Sequence, residues 1–355
     1  MPLTNDVVSK IRPVDSFIDQ DVLRRFPALA RYGRDLGDTP LINVPGPKGG
    51  ARLFAKCEWD NPSGSVKDRT AFAMVHDLLA QLPGDDLSGH KVLEYSGGNL
   101  AIALSLLCQG LGLENTLVFG SYVPDESVKK MRVQGSDAVI IDKDLGFWEV
   151  VQHAVRLSDA NPDWHFLHQH ENDANLRMHE MGTGAEIVTD LAALGLTADS
   201  WVASIGTGGT LIGVQRALAA ANPALQTFAT TPAELPYGTE APANGLPKFD
   251  GSGGLGCGRK QPFVAPEESR ITGHVTLGFE ETMAAMRLFR ELTGEWIGSS
   301  AAANWLAASR MASDQDADRV TVMVFPSKPS AGEIEKASAY SLDEVKKLTG
   351  LKELV

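Results

Sequence analysis

The chain has little cysteine, no long apolar run and no excess of basic charge, and each shortage removes a class of function. Its 355 residues include three cysteines, Cys57, Cys108 and Cys257, far apart and without paired metal-ligand spacing. That argues against a disulfide framework or a cysteine-rich metal site, so reduced thiols and no bound metal are expected. The longest apolar run, "LAIALSLLC" from Leu100 to Cys108, falls well short of the roughly 20 residues a spanning helix needs. The opening "MPLTNDVVSK" carries an acid early and lacks an apolar centre, so no signal peptide is expected and a cytoplasmic location is the default. A formal net charge of -13 argues against nucleic acid or an anionic membrane as the main partner, because both need basic patches.

What is present is an ordinary globular composition, 43% apolar and 22% charged, with length enough for two domains. A leader of about 36 residues carries some helical pattern in "DVLRRFPALARYGRDLG" and is expected on the surface or against a partner subunit. From there strand-like and helix-like stretches alternate: "ARLFAKCEW" and a helix from Val66, "HKVLEYS" and a helix from Leu100, "NTLVFGSYV" and a helix from about Glu126. The rhythm continues through "DAVIID", a helix over 147–159, "HFLHQ", a helix near Gly184–Leu194, "DSWVASI" and a helix from about Leu211, with further strands at "LQTFATT" and "VTVMVF". Repeated β-α units of this length predict an α/β fold of mostly parallel twisted sheets flanked by helices. A boundary near residue 172 gives an N-terminal domain over 1–172 and a C-terminal domain over 173–355, with a ligand cleft between them, and the segment around 37–58 is free to cross to the other sheet. The Gly- and Pro-rich stretch from Ala233 to Pro266 is too long for an ordinary connection and reads as either a functional or a disordered loop.

Three Gly- and Ser-rich loops each follow a strand and open a helix: "NPSGSVK", "YSGGNLA" and "IGTGGTL". Backbone N–H groups and helix N-termini converge at such loops, so three of them suggest one shared cofactor. "GTGGT", from Gly206 to Thr210, offers consecutive small residues for an anion nest with two threonine hydroxyls as extra donors. A dinucleotide fingerprint would want glycine at Leu211, and a phosphate loop of the Walker kind would want lysine at Val214. A Gly-rich turn serving only tight packing is the other reading. In "DNPSGSVKDRTAFAMV" Lys67 stands in the first turn of a helix, where the dipole disfavours its charge, so it suits an amine that is neutralised or faces an anion. A lysine on one loop and a phosphate cup on another are what pyridoxal phosphate requires.

"KCEWDNPSGSVKDR", "SGGNLAIAL", "GTGGTLIGV" and "GSSAAA", in that order and spacing, resemble the cysteine synthase and cystathionine β-synthase family of fold-type II pyridoxal-phosphate enzymes, over about Leu36 to Phe325. The resemblance implies a two-domain architecture with the active site in the interdomain cleft, and a dimer. It implies that Lys67 forms the Schiff base with pyridoxal 5'-phosphate, that Gly206, Thr207, Gly208, Gly209 and Thr210 hold the phosphate, and that Asn99 bonds the ring 3-oxygen. Ser299 resembles the serine facing the ring nitrogen, with a structural serine at a helix start as the alternative and Ser327 in reserve. Ser96, Gly97, Gly98 and Leu100 match the loop that grips the substrate carboxylate, and Gln169 matches a glutamine lining the substrate site. His170 follows it where relatives usually carry an apolar residue. Gly251, with Gly253 and Gly254, resembles a lid. Where relatives read Thr-Ser-Gly-Asn-Thr, this chain reads Ser96, Gly97, Gly98, Asn99, Leu100, so two side-chain hydroxyls are missing.

The implied function is β-replacement on an O-activated L-serine, O-acetylserine or O-phosphoserine, by a sulfur or amine nucleophile. The product is cysteine or a non-protein amino acid. Serine or threonine dehydratase chemistry and a catalytically inactive cofactor-binding subunit are the alternatives.

Overall fold

A computed structural model of the chain describes residues 17–235, 237–238, 258–351 and 354. Among the described residues, ten strands lie in two sheets: β1 (Leu41–Val44), β2 (Arg52–Cys57), β3 (Lys91–Ser96), β4 (Glu114–Gly120), β5 (Asp137–Ile141), β6 (Trp164–Phe166), β7 (Ser200–Ser204), β8 (Gln226–Pro232), β9 (Gly273–Leu277) and β10 (Val320–Phe325). The four-stranded sheet runs β5-β4-β3-β6 and the six-stranded sheet β1-β2-β10-β7-β8-β9. Every pairing is parallel except β1 with β2.

Sequence explains the order. β10, "VTVMVF", is apolar throughout but for one threonine, and all six residues are buried, as a strand covered on both faces must be. The edge strand β5, "DAVII", is instead buried only at its last residue, Ile141. Helices cover both faces. Among the described residues no helix is long and apolar enough to cross a membrane.

The leader's helices Gln20–Arg25 and Pro27–Arg34 lie on the surface with Asp21 and Arg24 exposed, and their other face buries Val22, Phe26 and Leu29 in the same apolar cluster as Phe72, Leu104 and Leu117. Tyr32 from this segment donates to the Asp68 carboxylate, one residue from Lys67. The leader is therefore part of the packing behind the site. Its first sixteen residues, Cys257, and the Gly251, Gly253 and Gly254 stretch lie outside the described residues.

Loops at the carboxyl ends of strands from both sheets meet, with Asn99 bonded to Ser327 and Asn175 to Thr207. β3 delivers Ser96, β7 the Gly206–Thr210 turn, β10 the Pro326–Ser327 turn, and β2 the loop to Lys67. β10 sits between β2 and β7, where the chain order in the six-stranded sheet reverses, the place where open α/β sheets bind ligands.

Candidate active site

Lys67 is the first residue of the helix Lys67–Gln81, and its entry is fixed by backbone bonds. The Val66 N–H donates to the Pro326 carbonyl at 2.8 Å, Ser65 bridges Ser327, and the Lys67 N–H donates to Ser65 Oγ at 3.2 Å. Two residues on, the buried Arg69 guanidinium donates to Glu58 at 2.7 and 2.9 Å and to Glu186 at 2.7 Å through both Nη atoms. Lys56 adds a bond to Glu186 at 3.0 Å. This fork-on-carboxylate network pins the start of the lysine helix to strand β2 and to the helix Ala185–Ala193.

Burial holds the Lys67 amine down at about 8, against the upward pull of the nearby Glu94 carboxylate. Burial conversely pushes Glu94 up to about 8, opposed by the backbone N–H groups of Tyr95, Gln169 and His168 and by Lys67. A lysine so placed is about one-tenth neutral at pH 7, far more than an ordinary lysine, which suits an amine nucleophile or proton acceptor.

The "GTGGT" turn opens the helix Gly209–Ala221. Gly208 has φ +89, and a Cβ there would stand 2.4 Å from Val264 Cγ2, so only glycine fits. Thr207 Oγ1 accepts from the Gly209 N–H at 3.1 Å and from Asn175 Nδ2 at 3.1 Å. Thr210 Oγ1 lies 3.2 Å from His179 Nε2, and His179 Nδ1 lies 3.0 Å from Thr183 Oγ1. A π-helical stretch, His179–Gly184, carries His179 at its start. Burial and the charges of Lys67 and Arg69 keep this imidazole well below its usual value, hence neutral. Thr70 donates to Asn175 Oδ1 at 2.9 Å, linking the lysine helix to the same network.

On the other wall Gly98, at φ +140, precedes the helix Asn99–Leu111, and Asn99 Nδ2 donates to Ser327 Oγ at 3.3 Å. Ser96 Oγ accepts from the N–H groups of Gly98 at 2.9 Å and Ala101 at 3.0 Å. It closes the turn at Gly97 and keeps one O–H to give. Leu100 is 2% exposed and belongs to the apolar core behind the helix. Only its backbone N–H remains for a ligand.

Gln169 is buried, its Nε2 donating to the Tyr95 carbonyl at 2.7 Å and its N–H to Glu94 Oε2 at 3.2 Å. Ser299 begins the helix Ser299–Ala312 and donates its N–H to Glu333 Oε1 at 3.1 Å. A Cβ on the preceding Gly298 would stand 2.8 Å from the Ser327 carbonyl, so the two serine-bearing turns touch.

Lys67, Asn99 and Ser327 are thus joined through one set of contacts, and Thr70, Asn175 and Thr207 through a second that shares the lysine helix. Sequence reasoning passed over Glu94, Asn175 and His179. Glu94 had a signal: a carboxylate inside the otherwise apolar "KVLEYS" strand, where burial demands a partner or a function. The donor chemistry fits a phosphorylated aldehyde. A helix N-terminus with a left-handed glycine and a threonine hydroxyl would hold the anion, and an amine of lowered basicity would meet the aldehyde.

The family of pyridoxal-phosphate dependent enzymes matches residues 33–327, and the chain belongs to it, with pyridoxal phosphate as its cofactor. Within that family it is of the cysteine synthase and cystathionine β-synthase kind. It is 30% identical to cysteine synthase B of Campylobacter jejuni over 292 residues, 81% of this chain and 92% of that protein. The N-(2-amino-2-carboxyethyl)-L-glutamate synthase of Ralstonia nicotianae is 29% identical, covering 78% of this chain and 80% of its own. The O-acetylserine dependent cystathionine β-synthase of Helicobacter pylori superposes with TM-score 0.73 at 25% identity, covering 87% of this chain and 96% of that one.

Proposed function

We propose that the protein catalyses β-replacement on an O-activated L-serine, joining a sulfur or amine nucleophile to the β-carbon. The observation that supports this is Lys67 at the head of its helix, tied through Ser65 to Ser327, which accepts in turn from Asn99. Relatives named for cysteine and for aminocarboxyethyl-glutamate synthesis support it.

Bound pyridoxal phosphate supplies the electron sink that lets an amino acid lose its α-proton. Gly206–Thr210 would hold its phosphate, Lys67 its aldehyde carbon, Asn99 its 3-oxygen and Ser299 its ring nitrogen. Lys67, once free, takes the proton from Cα, which its lowered basicity suits near neutral pH. The N–H groups of the Gly97–Leu100 turn and the Ser96 O–H hold the substrate carboxylate, with Gln169 beside them. The neutral Ser299 hydroxyl cannot protonate the ring nitrogen fully, which favours loss of the β-substituent over other fates of the α-carbanion.

This reading takes the cleft to lie between domains divided near residue 172, in a cytoplasmic homodimer. Its test is Lys67→Ala. Borohydride reduction of the wild-type holoprotein fixes the cofactor on the peptide containing Lys67, and the variant carries no such label. Its α-proton exchange falls by about 10²–10⁴-fold. A labelled lysine elsewhere in the wild type overturns the assignment.

A further inference from the structure

Asp68 follows Lys67 and is fully buried, yet among the described residues no cation touches its carboxylate. Hydrogen bonds hold it instead. Oδ1 accepts from the Tyr32 hydroxyl and from the Ser63 N–H at 2.8 Å, and Oδ2 accepts from Ser63 Oγ at 2.9 Å and from the Ser65 N–H at 3.1 Å. Burial pushes this carboxyl up, and the Tyr32 hydroxyl, then Ser63 and Ser65, draw it back. All of these donors but Tyr32 lie in the Ser63–Ser65 turn, where Gly64 has φ +95. That turn delivers Lys67, since Ser65 pairs with Ser327 and accepts from the Lys67 N–H.

Donors within the turn move with it and fix only its shape. Tyr32 comes from the leader helix Pro27–Arg34, and its ring is buried in one apolar cluster with Leu29, Phe72 and Leu104. A ring packed in a core has few rotamers open, so its hydroxyl is a fixed point from which the Asp68 side chain, and the turn bonded to it, take their place. We propose that Tyr32 is a positioning residue for the reaction: by fixing the Asp68 carboxylate it sets the Ser63–Ser65 turn, and through that turn the angle at which Lys67 meets cofactor and substrate. The inference rests on the reading of Lys67 as cofactor lysine and proton acceptor. Arg69 braces the start of the helix, and Tyr32 braces the turn ahead of it. Such a brace controls orientation. A small displacement of the amine costs rate, while the turns that would hold the substrate carboxylate are built from other segments, so the loss belongs in kcat and not in KM.

The test compares Tyr32→Phe, which keeps the ring and removes only the donor, with Leu29→Ala, which loosens the same core without touching Asp68. The holoproteins are read by visible circular dichroism at saturating cofactor, by Tm, and by turnover of O-acetylserine with sulfide. Tyr32→Phe is expected to move the cofactor's dichroism away from the wild-type spectrum and to lower kcat about tenfold at unchanged KM, with Tm close to wild type. Leu29→Ala is expected to lower Tm while dichroism and kcat stay at wild type. In an Asp68→Asn background the Tyr32→Phe change is expected to cost nothing further, because the two act as one unit. Wild-type dichroism and kcat in Tyr32→Phe, or losses that follow Tm as a merely structural role would give, overturn the proposal. A dichroism change in Tyr32→Phe with no turnover of activated serine by any of the proteins supports the Tyr32 brace and overturns the β-replacement reading.

Discussion

Asn99 and Ser327 meet across the cleft, the Asn99 amide donating to the Ser327 hydroxyl at 3.3 Å. One stands at the head of the helix after β3, the other on the turn after β10, so the bond joins the two sheets at the site. Ser299→Ala is expected to shift the visible absorption of the holoprotein, as loss of a ring-nitrogen contact must. Ser327→Ala is expected to loosen cofactor binding by about 0.5–1.5 kcal/mol, several-fold in Kd, without that spectral shift. The reverse pattern would give the ring-nitrogen role to Ser327.

Thr210 tests the phosphate turn more cleanly than Gly208 does. A carboxylate at Gly208 would repel phosphate, but it would also drive a Cβ into Val264 at positive φ. Thr210→Val removes only a hydroxyl, and a charge-assisted bond lost there is worth roughly 1.5–3 kcal/mol. Cofactor Kd should rise about tenfold to a hundredfold by equilibrium titration. An unchanged Kd in folded protein moves the phosphate elsewhere.

Leu100 answers a question of stability. Leu100→Thr puts a hydroxyl into an apolar core and removes packing, at a cost of about 2–4 kcal/mol in denaturant unfolding. Gly97→Ser alone is the variant that tests carboxylate recognition, read as kcat/KM for O-acetylserine over O-phosphoserine. A Leu100→Thr protein of wild-type stability would mean the side chain faces the cleft after all.

The parts of the molecule legible in sequence were those written in local pattern. The helices at Lys67 and Asn99 start within one residue of expectation, because a Gly- and Ser-rich turn before an apolar run is a local signal. β1 was missed, being four residues between prolines whose strand character comes from pairing with β2. β9, "GHVTL", was missed for the same reason: its parallel partner β8 lies 45 residues earlier at Phe228↔Gly273. The leader's helical pattern was visible, but not the apolar cluster of Phe72, Leu104 and Leu117 that its helices cover. His90 with His165 and Tyr95 with His170 are both 75 residues apart, brought together because β3 and β6 are sheet neighbours, a choice no local pattern encodes.

The histidine pair carries a pH dependence. His90 Nδ1 and His165 Nε2 are 2.8 Å apart, so one N–H serves both rings and two charges would face each other. Burial, then His90, holds His165 below its usual 6.5. A depressed value means the fold favours the neutral ring, so this contribution to stability is present above pH 6.5 and is lost as pH falls below it. His165→Asn should flatten the fall in Tm between pH 7 and pH 5 relative to wild type. Parallel Tm profiles contradict the assignment.

The central claim is that activated serine is converted by replacement and not merely by elimination. The direct measurement is the product balance when holoenzyme consumes O-acetylserine with a nucleophile present: acetate released, β-substituted amino acid formed, and pyruvate. The account predicts one β-substituted amino acid per acetate with little pyruvate. Pyruvate and ammonia matching acetate whatever nucleophile is supplied would contradict it and make the protein a dehydratase.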